Sequence, residues 1–204
     1  MRIAIVGSGN IGGGLARAWT AKGHTITFGA RQPDEPEVVA LAREIGAAVA
    51  TIPDALTGAE VIVLAMPFTA APAVAAALPS WQGRVVIDCT NPIGPGFTLI
   101  HGHTDSGSEA IQRLLPGAHV VKSFSAQGAE NLAHPVHDGV PASNFYCGDD
   151  AAAKAVVKQL VEDVGFEAVD AGPLTSARYL EPITMLWISM SRTLGRNFAF
   201  KVLR

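Results

Sequence analysis

Arg2-Ile3-Ala4-Ile5-Val6, followed at once by Gly7-Ser8-Gly9-Asn10-Ile11-Gly12, is the stretch that decides the fold. Four consecutive apolar residues before a glycine-rich turn read as a buried strand. Beyond the turn, Asn10 to Lys22 puts Leu15, Ala18 and Trp19 on one face of a helix. The spacing Gly-x-Gly-x-x-Gly carries little weight alone. Placed directly after a strand, opening a helix, and inside a strand-helix-strand unit, it has the context of a dinucleotide-binding turn. Gly7 permits the tight turn, Gly9 lets the backbone approach a pyrophosphate, and Gly12 allows close helix–sheet packing. The helix N-terminus offers unpaired N–H groups and a positive dipole end to the anion.

Outward from that unit the alternation continues. Strands are expected at Thr25 to Phe28, Ala47 to Thr51, Val61 to Ala65 and Arg84 to Asp88. Helices are expected at Glu35 to Ile45, Asp54 to Ala59 and Thr69 to Leu78. Strands that are apolar throughout and alternate with helices imply a parallel sheet covered on both faces. From Asn91 to Gly107 the pattern stops in a run rich in proline and glycine, long enough to suggest a functional or mobile loop. A helix at Glu109 to Leu115 and a strand at His119 to Lys122 follow. A strand at Asn144 to Cys147, a helix at Ala151 to Val164, a strand at Glu167 to Val169 and a final helix from Ala177 complete the chain. The fold class is α/β: a Rossmann-type doubly wound, mainly parallel sheet with helices on both faces and a small C-terminal extension. Residues 1–123 form the dinucleotide-binding region and 124–204 the α/β extension packed on it, as one continuous globular unit.

Composition narrows the functions. The 204 residues carry a formal net charge of −3, so no basic field draws nucleic acid or anionic lipid. Two cysteines, Cys89 and Cys147, cannot build a disulfide framework or a cysteine-rich metal site. Val61 to Pro79 is uncharged, but Pro67, Pro72 and Pro79 make it a strand, a turn and a short helix better than a membrane span. No signal-peptide pattern opens the chain, and a cytoplasmic protein is expected.

An NAD-preferring site places an acid at the end of the second strand to bind the ribose 2′-OH. Here that position falls in Phe28-Gly29-Ala30-Arg31, and no acid occurs before Asp34. Arg31 is either the partner of a 2′-phosphate or a solvated surface charge, and the first reading is favoured by the glycine turn. Met66-Pro67 and Asn91-Pro92 follow parallel strands at their carboxyl ends, where such sheets bind ligands. They border the nicotinamide or merely end strands. Classical acid–base candidates are poor, and no catalytic residue is assigned: neither Tyr146 nor Tyr179 has a lysine four residues on. His101, His103 and Asp105 lack the further ligands a metal needs, so no metal site is assigned. Lys122 either faces the site or makes a structural ion pair. The scarcity of acid–base groups favours hydride exchange between two redox cofactors, where the protein binds, aligns and shields two rings.

Gly7 to Gly12, Gly29-Ala30-Arg31, Val120-Val121-Lys122-Ser123-Phe124 with Gly128-Ala129-Glu130-Asn131, Asp170 to Leu174, and Ala177 to Pro182 resemble the coenzyme F420-dependent NADP oxidoreductase family. The N-terminal reductase domain of STEAP metalloreductases is similar. The resemblance implies a Rossmann fold and hydride exchange between NADP(H) and a deazaflavin, coenzyme F420, or a flavin as second redox partner. By motif it places Ser8, Gly9, Asn10, Ile11, Ala30 and Arg31 on NADP. It sets the segment Ser125 to Ala129 beside the nicotinamide and the second ring. Relatives often carry Asn-Thr where this chain has Ser125-Ala126, which removes an amide and a hydroxyl from the second pocket. Two other functions fit the residues: an NADPH-dependent reductase of a small imine or carbonyl compound, and a non-catalytic NADP-binding sensor module. The apolar Leu180, Ile183, Leu186, Trp187 and Met190 must cover the sheet, a second subunit or both, and a homodimer is expected.

Overall fold

Alternation along the first strand sorts its side chains between two cores. The computed structural model describes residues 1–204. In β1 (Arg2–Val6), Ile3 and Ile5 enter one apolar cluster with Trp19, Phe28 and Phe124, while Ala4 and Val6 enter a second with Leu56 and Trp81. Because strand side chains alternate sides, these clusters are the two faces of one sheet, each roofed by helices. The chain continues through α1 (Asn10–Ala21), β2 (Thr25–Ala30), α2 (Pro36–Ile45), β3 (Ala48–Thr51) and α3 (Ile52–Thr57). Next come β4 (Val61–Leu64), α4 (Ala71–Ala75), β5 (Val85–Asp88), α5 (Gly107–Leu114), β6 (His119–Lys122) and α6 (Glu130–Ala133). The remainder is β7 (Val136–His137), β8 (Val140–Pro141), β9 (Ser143–Gly148), α7 (Ala151–Val164), β10 (Glu167–Asp170) and α8 (Ala177–Leu194).

Eight strands form one sheet in the order β10-β9-β6-β5-β4-β1-β2-β3, with β7 and β8 pairing separately. All pairs in it are parallel except β6 with β9. The winding reverses between β1 and β4, and a doubly wound sheet opens its ligand crevice at such a switch point. The expected fold class is therefore the observed one. No helix is long and apolar enough to cross a membrane.

Several boundaries differ from the sequence expectations, each for a local reason. β2 runs two residues past Phe28 because Gly29 and Ala30 still pair with β3. α3 begins at Ile52, before the expected Asp54, with Thr51 as its cap and Pro53 in its first turn. The helix expected over Thr69 to Leu78 is a 3-10 turn at Phe68–Ala70 and then only Ala71–Ala75. Its last turn is claimed by Trp81, whose indole N–H donates to the Ala75 carbonyl at 2.9 Å. α5 starts at Gly107 because Ser106 and Glu109 close a reciprocal cap, Ser106 Oγ donating to Glu109 Oε2 at 2.7 Å and accepting from Glu109 N at 3.2 Å. The expected long loop carries some order, with a 3-10 turn at Pro95–Phe97 and a bridge between Ile93 and Leu99. The β7–β8 hairpin was not expected, although Asp138-Gly139 between its strands is a strong two-residue hairpin signal. Both residues adopt the positive φ that such a turn requires, 49° and 80°.

Candidate functional site

Strand register brings the candidate residues to one edge of the sheet. Val6 pairs with Gly29 on one side and Leu64 on the other, Leu64 with Asp88, and Asp88 with Lys122. The segments that follow these strands therefore leave the sheet side by side: the Gly7 turn, Ala30-Arg31, Ala65 to Pro67, Cys89 to Asn91, and Ser123 to Ala129. Residues as distant in sequence as Gly7 and Ala129 share this rim only because the strands are parallel and in step.

The glycine turn has the shape an anion needs. Gly7 has φ of 105°, and a Cβ there would strike the Ala65 carbonyl. A Cβ on Gly12 would strike the Gly7 carbonyl, so helix and turn pack backbone to backbone. A Cβ on Gly9 would meet no protein atom within 4 Å. Gly9 is thus free of packing demands and borders open space. α1 begins without a side-chain cap and without an acid in its first turn. Its leading N–H groups and its dipole remain available to a phosphate. These features fit the pyrophosphate of a dinucleotide. Ser8 and Asn10 are exposed beside them, and Ile11 is half-buried.

Ala30 ends β2 half-buried, and Arg31 follows it exposed. Most of the other arginines are engaged: Arg17 pairs with Glu44, Arg113 with Asp105, Arg178 with Glu109 and Arg196 with Glu130. Arg31 makes neither an ion pair nor a side-chain hydrogen bond, and its guanidinium is open to an incoming anion.

Met66 and Pro67 lead into Phe68, whose ring meets His101 edge-on at 5.5 Å between centroids. Asn91 is held by its neighbours. Its Nδ2 donates to the Ser125 carbonyl at 3.4 Å, and its Oδ1 lies 3.1 Å from Thr184 Oγ1. Ser125 is buried, whereas Ala126 and Ala129 are half-exposed. Ala129 shares a groove of about 900 Å³ with Ser8, Gly9 and Asn10, bounded by α1 and α6. Arg31, Met66, Pro67 and Asn91 stand on the sheet rim outside that groove.

Of the two readings of Lys122, the structure shows the ion pair. The side chain is fully buried, with Nζ 3.3 Å from Asp88 Oδ2 and 3.4 Å from Glu181 Oε1. Burial pushes its pKa down, but the two carboxylates more than offset this and leave it raised. Burial likewise raises Glu181, against the pull of Lys122 and two backbone amides. Glu181, Thr184 and Asp88 were not singled out from the sequence. Asp88 offered a signal, as an acid closing an apolar strand one neighbour away from the lysine that closes another. Glu181 offered none, because its partner lies 59 positions away.

The remaining candidates divide simply. Cys89 and Cys147 are buried and unpaired; burial raises both thiols, that of Cys147 to about 12. Tyr146 is buried, and burial raises its hydroxyl; Tyr179 is 72% exposed on α8. His101 lies 3.2 Å from Asp105, and no group of three or more potential ligands is arranged for a metal ion.

The family profile described as "NADP oxidoreductase coenzyme F420-dependent" matches residues 2–92. The chain is 30% identical to the F420-dependent NADP reductase of Methanothermobacter thermautotrophicus, over 99% of this chain and 94% of that protein. It is 28% identical to the metalloreductase STEAP3 of Rattus norvegicus over 90% of its own length, but spans only 36% of that protein. Among solved structures, a protein of Arthrobacter sp. FB24, provisionally assigned as an F420-dependent NADP reductase, superposes with a TM-score of 0.91. It is 33% identical, with both chains fully covered.

Proposed function

The chain belongs to the coenzyme F420-dependent NADP oxidoreductase family, and from that premise we propose that it passes hydride between NADP(H) and a deazaflavin, coenzyme F420, or a flavin. The observation that carries this reading is the common rim. The register of β2, β1, β4, β5 and β6 sets Arg31, the glycine turn, Met66-Pro67, Asn91 and the Ser125 to Ala129 segment in one row. When bound, the two cofactors would supply the redox chemistry, hydride exchange between a nicotinamide and a second ring. The protein's part is to bind and to align. Gly7, Ser8, Gly9, Asn10, Ile11 and Gly12 hold the pyrophosphate through backbone N–H groups. Arg31, next to Ala30, pairs with the 2′-phosphate. Met66, Pro67, Asn91 and Ala129 wall the ring region. No side chain is needed as a proton donor in this reading.

The absent Asn-Thr pair at Ser125-Ala126 leaves the second pocket with fewer polar groups, so flavins stand beside F420 as acceptors. Incubation of the protein and NADPH with F420, FMN, FAD and a panel of imines and carbonyl compounds tests the proposal. Rapid NADPH oxidation with F420 or a flavin supports it. Turnover confined to imines or carbonyls, or tight NADPH binding with no turnover at all, refutes it.

The working unit in this proposal is a homodimer. Leu180 and Trp187 of α8 are buried within the chain, so part of the expected apolar surface covers its own protein. Tyr179, Leu186 and Leu194 remain 72%, 51% and 60% exposed. Separations of seven and eight residues place them on one side of the helix, with half-buried Ile183 and Met190 between. A stripe along an 18-residue helix is about 27 Å long, and an isologous pairing of two copies would cover it.

A further inference from the structure

Lysine is almost never fully buried unless paired. Lys122 has two carboxylate partners and a third acceptor, the Thr90 carbonyl at 2.7 Å. Asp88 Oδ1 accepts from Thr90 N at 2.9 Å and Thr90 Oγ1 at 2.7 Å, and its Oδ2 accepts from Ser108 Oγ at 2.5 Å. Glu181 accepts from the backbone of Gly107 at 2.9 Å and Ser108 at 3.1 Å, the first amides of α5. The cluster therefore ties together the ends of β5 and β6, the start of α5 and the first turns of α8. It also pins both ends of the Cys89 to Ser106 loop.

Two routes lead from Lys122 to the ring region. One passes through Asp88 to Thr90, the residue before Asn91. The other passes through Glu181 to Thr184, one helical turn further along α8. Thr184 Oγ1 lies 2.9 Å from the Ser125 carbonyl and 3.1 Å from Asn91 Oδ1. Lys122 itself precedes Ser125 by three residues. Both routes end on the same pair, Asn91 and Ser125, at the rim where the second ring is placed. Replacing a buried ion triad by apolar residues of equal volume is often neutral or stabilising. What such a triad adds is direction, since the ammonium donates and the carboxylates accept at defined positions.

We propose that Lys122 is the positioning residue for the acceptor side of the site, holding Asn91 and the Ser125 backbone in place through Asp88 and Glu181. The proposal rests on the hydride-transfer reading above. Hydride transfer requires reacting atoms about 3–3.5 Å apart, and a shift of about 1 Å can cost about 10²-fold in rate. The glycine turn and Arg31 follow β1 and β2 and share no hydrogen bond or ion pair with the cluster, so the pyrophosphate and 2′-phosphate contacts, which supply most of the NADPH affinity in this reading, do not depend on it.

The test uses Glu181→Gln, which leaves a balanced Lys122–Asp88 pair, and Lys122→Met, which leaves two unpaired carboxylates and can fail to fold. Hydrogen exchange of the full chain is measured first. In Glu181→Gln, amides of 89–92 and 123–129 exchange faster while those of 7–12 do not change. The dissociation constant for NADPH stays within about twofold. With F420 or FMN as acceptor, single-turnover hydride transfer from NADPH falls about tenfold or more, and the deuterium isotope effect on transfer rises. A purely structural role would lower the melting temperature and leave the transfer rate of the folded enzyme intact. Unchanged exchange at 123–129 overturns the proposal, as does an unchanged transfer rate or an equal loss of NADPH affinity. If the wild type turns over neither acceptor, the hydride-transfer reading fails, and the exchange experiment still decides whether the cluster holds Asn91 and Ser125.

Discussion

A side chain on Gly12 has no room, because its Cβ would overlap the carbonyl oxygen of Gly7. Gly9, three residues earlier, has φ of −68° and nothing within 4 Å of its Cβ direction. Packing therefore requires glycine at position 12 and not at position 9, where the proposed reading assigns it to ligand approach. Gly12→Ala should destabilise the fold by about 3 kcal/mol, the upper end for overpacking against backbone. That corresponds to a fall of about 6–12 °C in melting temperature at this chain length. Gly9→Ala should leave stability within about 1 kcal/mol, the scale of an N-cap change, and weaken NADPH binding at least about tenfold by occupying the space of the pyrophosphate. Thermal melts and NADPH titrations of the two variants check the contrast; equal melting temperatures would contradict it.

Arg31 should carry the preference for NADP over NAD. Its planar guanidinium can make two charge-assisted hydrogen bonds to phosphate oxygens. Exposure at the rim reduces their sum to about 2 kcal/mol, or about thirtyfold in affinity. Arg31→Ala should weaken NADPH by that factor and barely change NADH, and the wild-type preference should shrink with added salt. Titration of both cofactors at two ionic strengths is the measurement. Tighter wild-type binding of NADH than NADPH would contradict the assignment.

Ala126 lies half-exposed between buried Ser125 and Gln127. Ala126→Phe should obstruct the second ring, reduce turnover with the acceptor at least about tenfold and leave NADPH affinity within about twofold, since near contact of the rings is required. Steady-state kinetics with the active acceptor, paired with NADPH titration, decides this. Unaltered turnover would place the second ring elsewhere.

Light scattering at micromolar concentration should return twice the 21.2 kDa chain mass. Leu186→Arg should shift the protein toward the monomer, because it puts a charge in the middle of the apolar stripe of α8. A monomeric wild type would exclude the dimer.

Acid should loosen the end of the long loop. Arg113 donates to both carboxylate oxygens of Asp105, at 3.0 and 2.7 Å, and holds its pKa down at about 2. A depressed value in the folded state gives stability that is present above the unfolded value of 3.8 and lost as pH falls through about 2. The pair is solvent-exposed, so its worth is below about 1 kcal/mol. Asp105→Asn should lower stability slightly at pH 5 and flatten the decline between pH 4 and pH 2. Thermal melts across that range provide the check.

Much of the architecture was legible in the linear chain, because its causes are local. Ile3 to Val6, Val61 to Leu64 and Val120-Val121 are apolar runs too short for helices and are punctuated by turns, so strand identity follows from burial on both faces. The glycine turn was legible because it requires a positive φ at Gly7 and a methyl-free contact at Gly12, which constrain the residue type directly. The missing acid before Arg31 was equally plain, since it lies a fixed distance from that turn.

The sequence by itself determined the strand-helix alternation, the glycine turn and the arginine proposed for the 2′-phosphate, each a property of a few neighbouring residues. Only the tertiary structure decided that β5 and β6 end level, that Lys122 turns inward to Asp88 and Glu181, and that Asn91 is held against Ser125 by Thr184. Those contacts join residues 34 to 93 positions apart. No short-range pattern encodes them. They follow from sheet order and register, and a buried charge selects its partner by distance and direction in space.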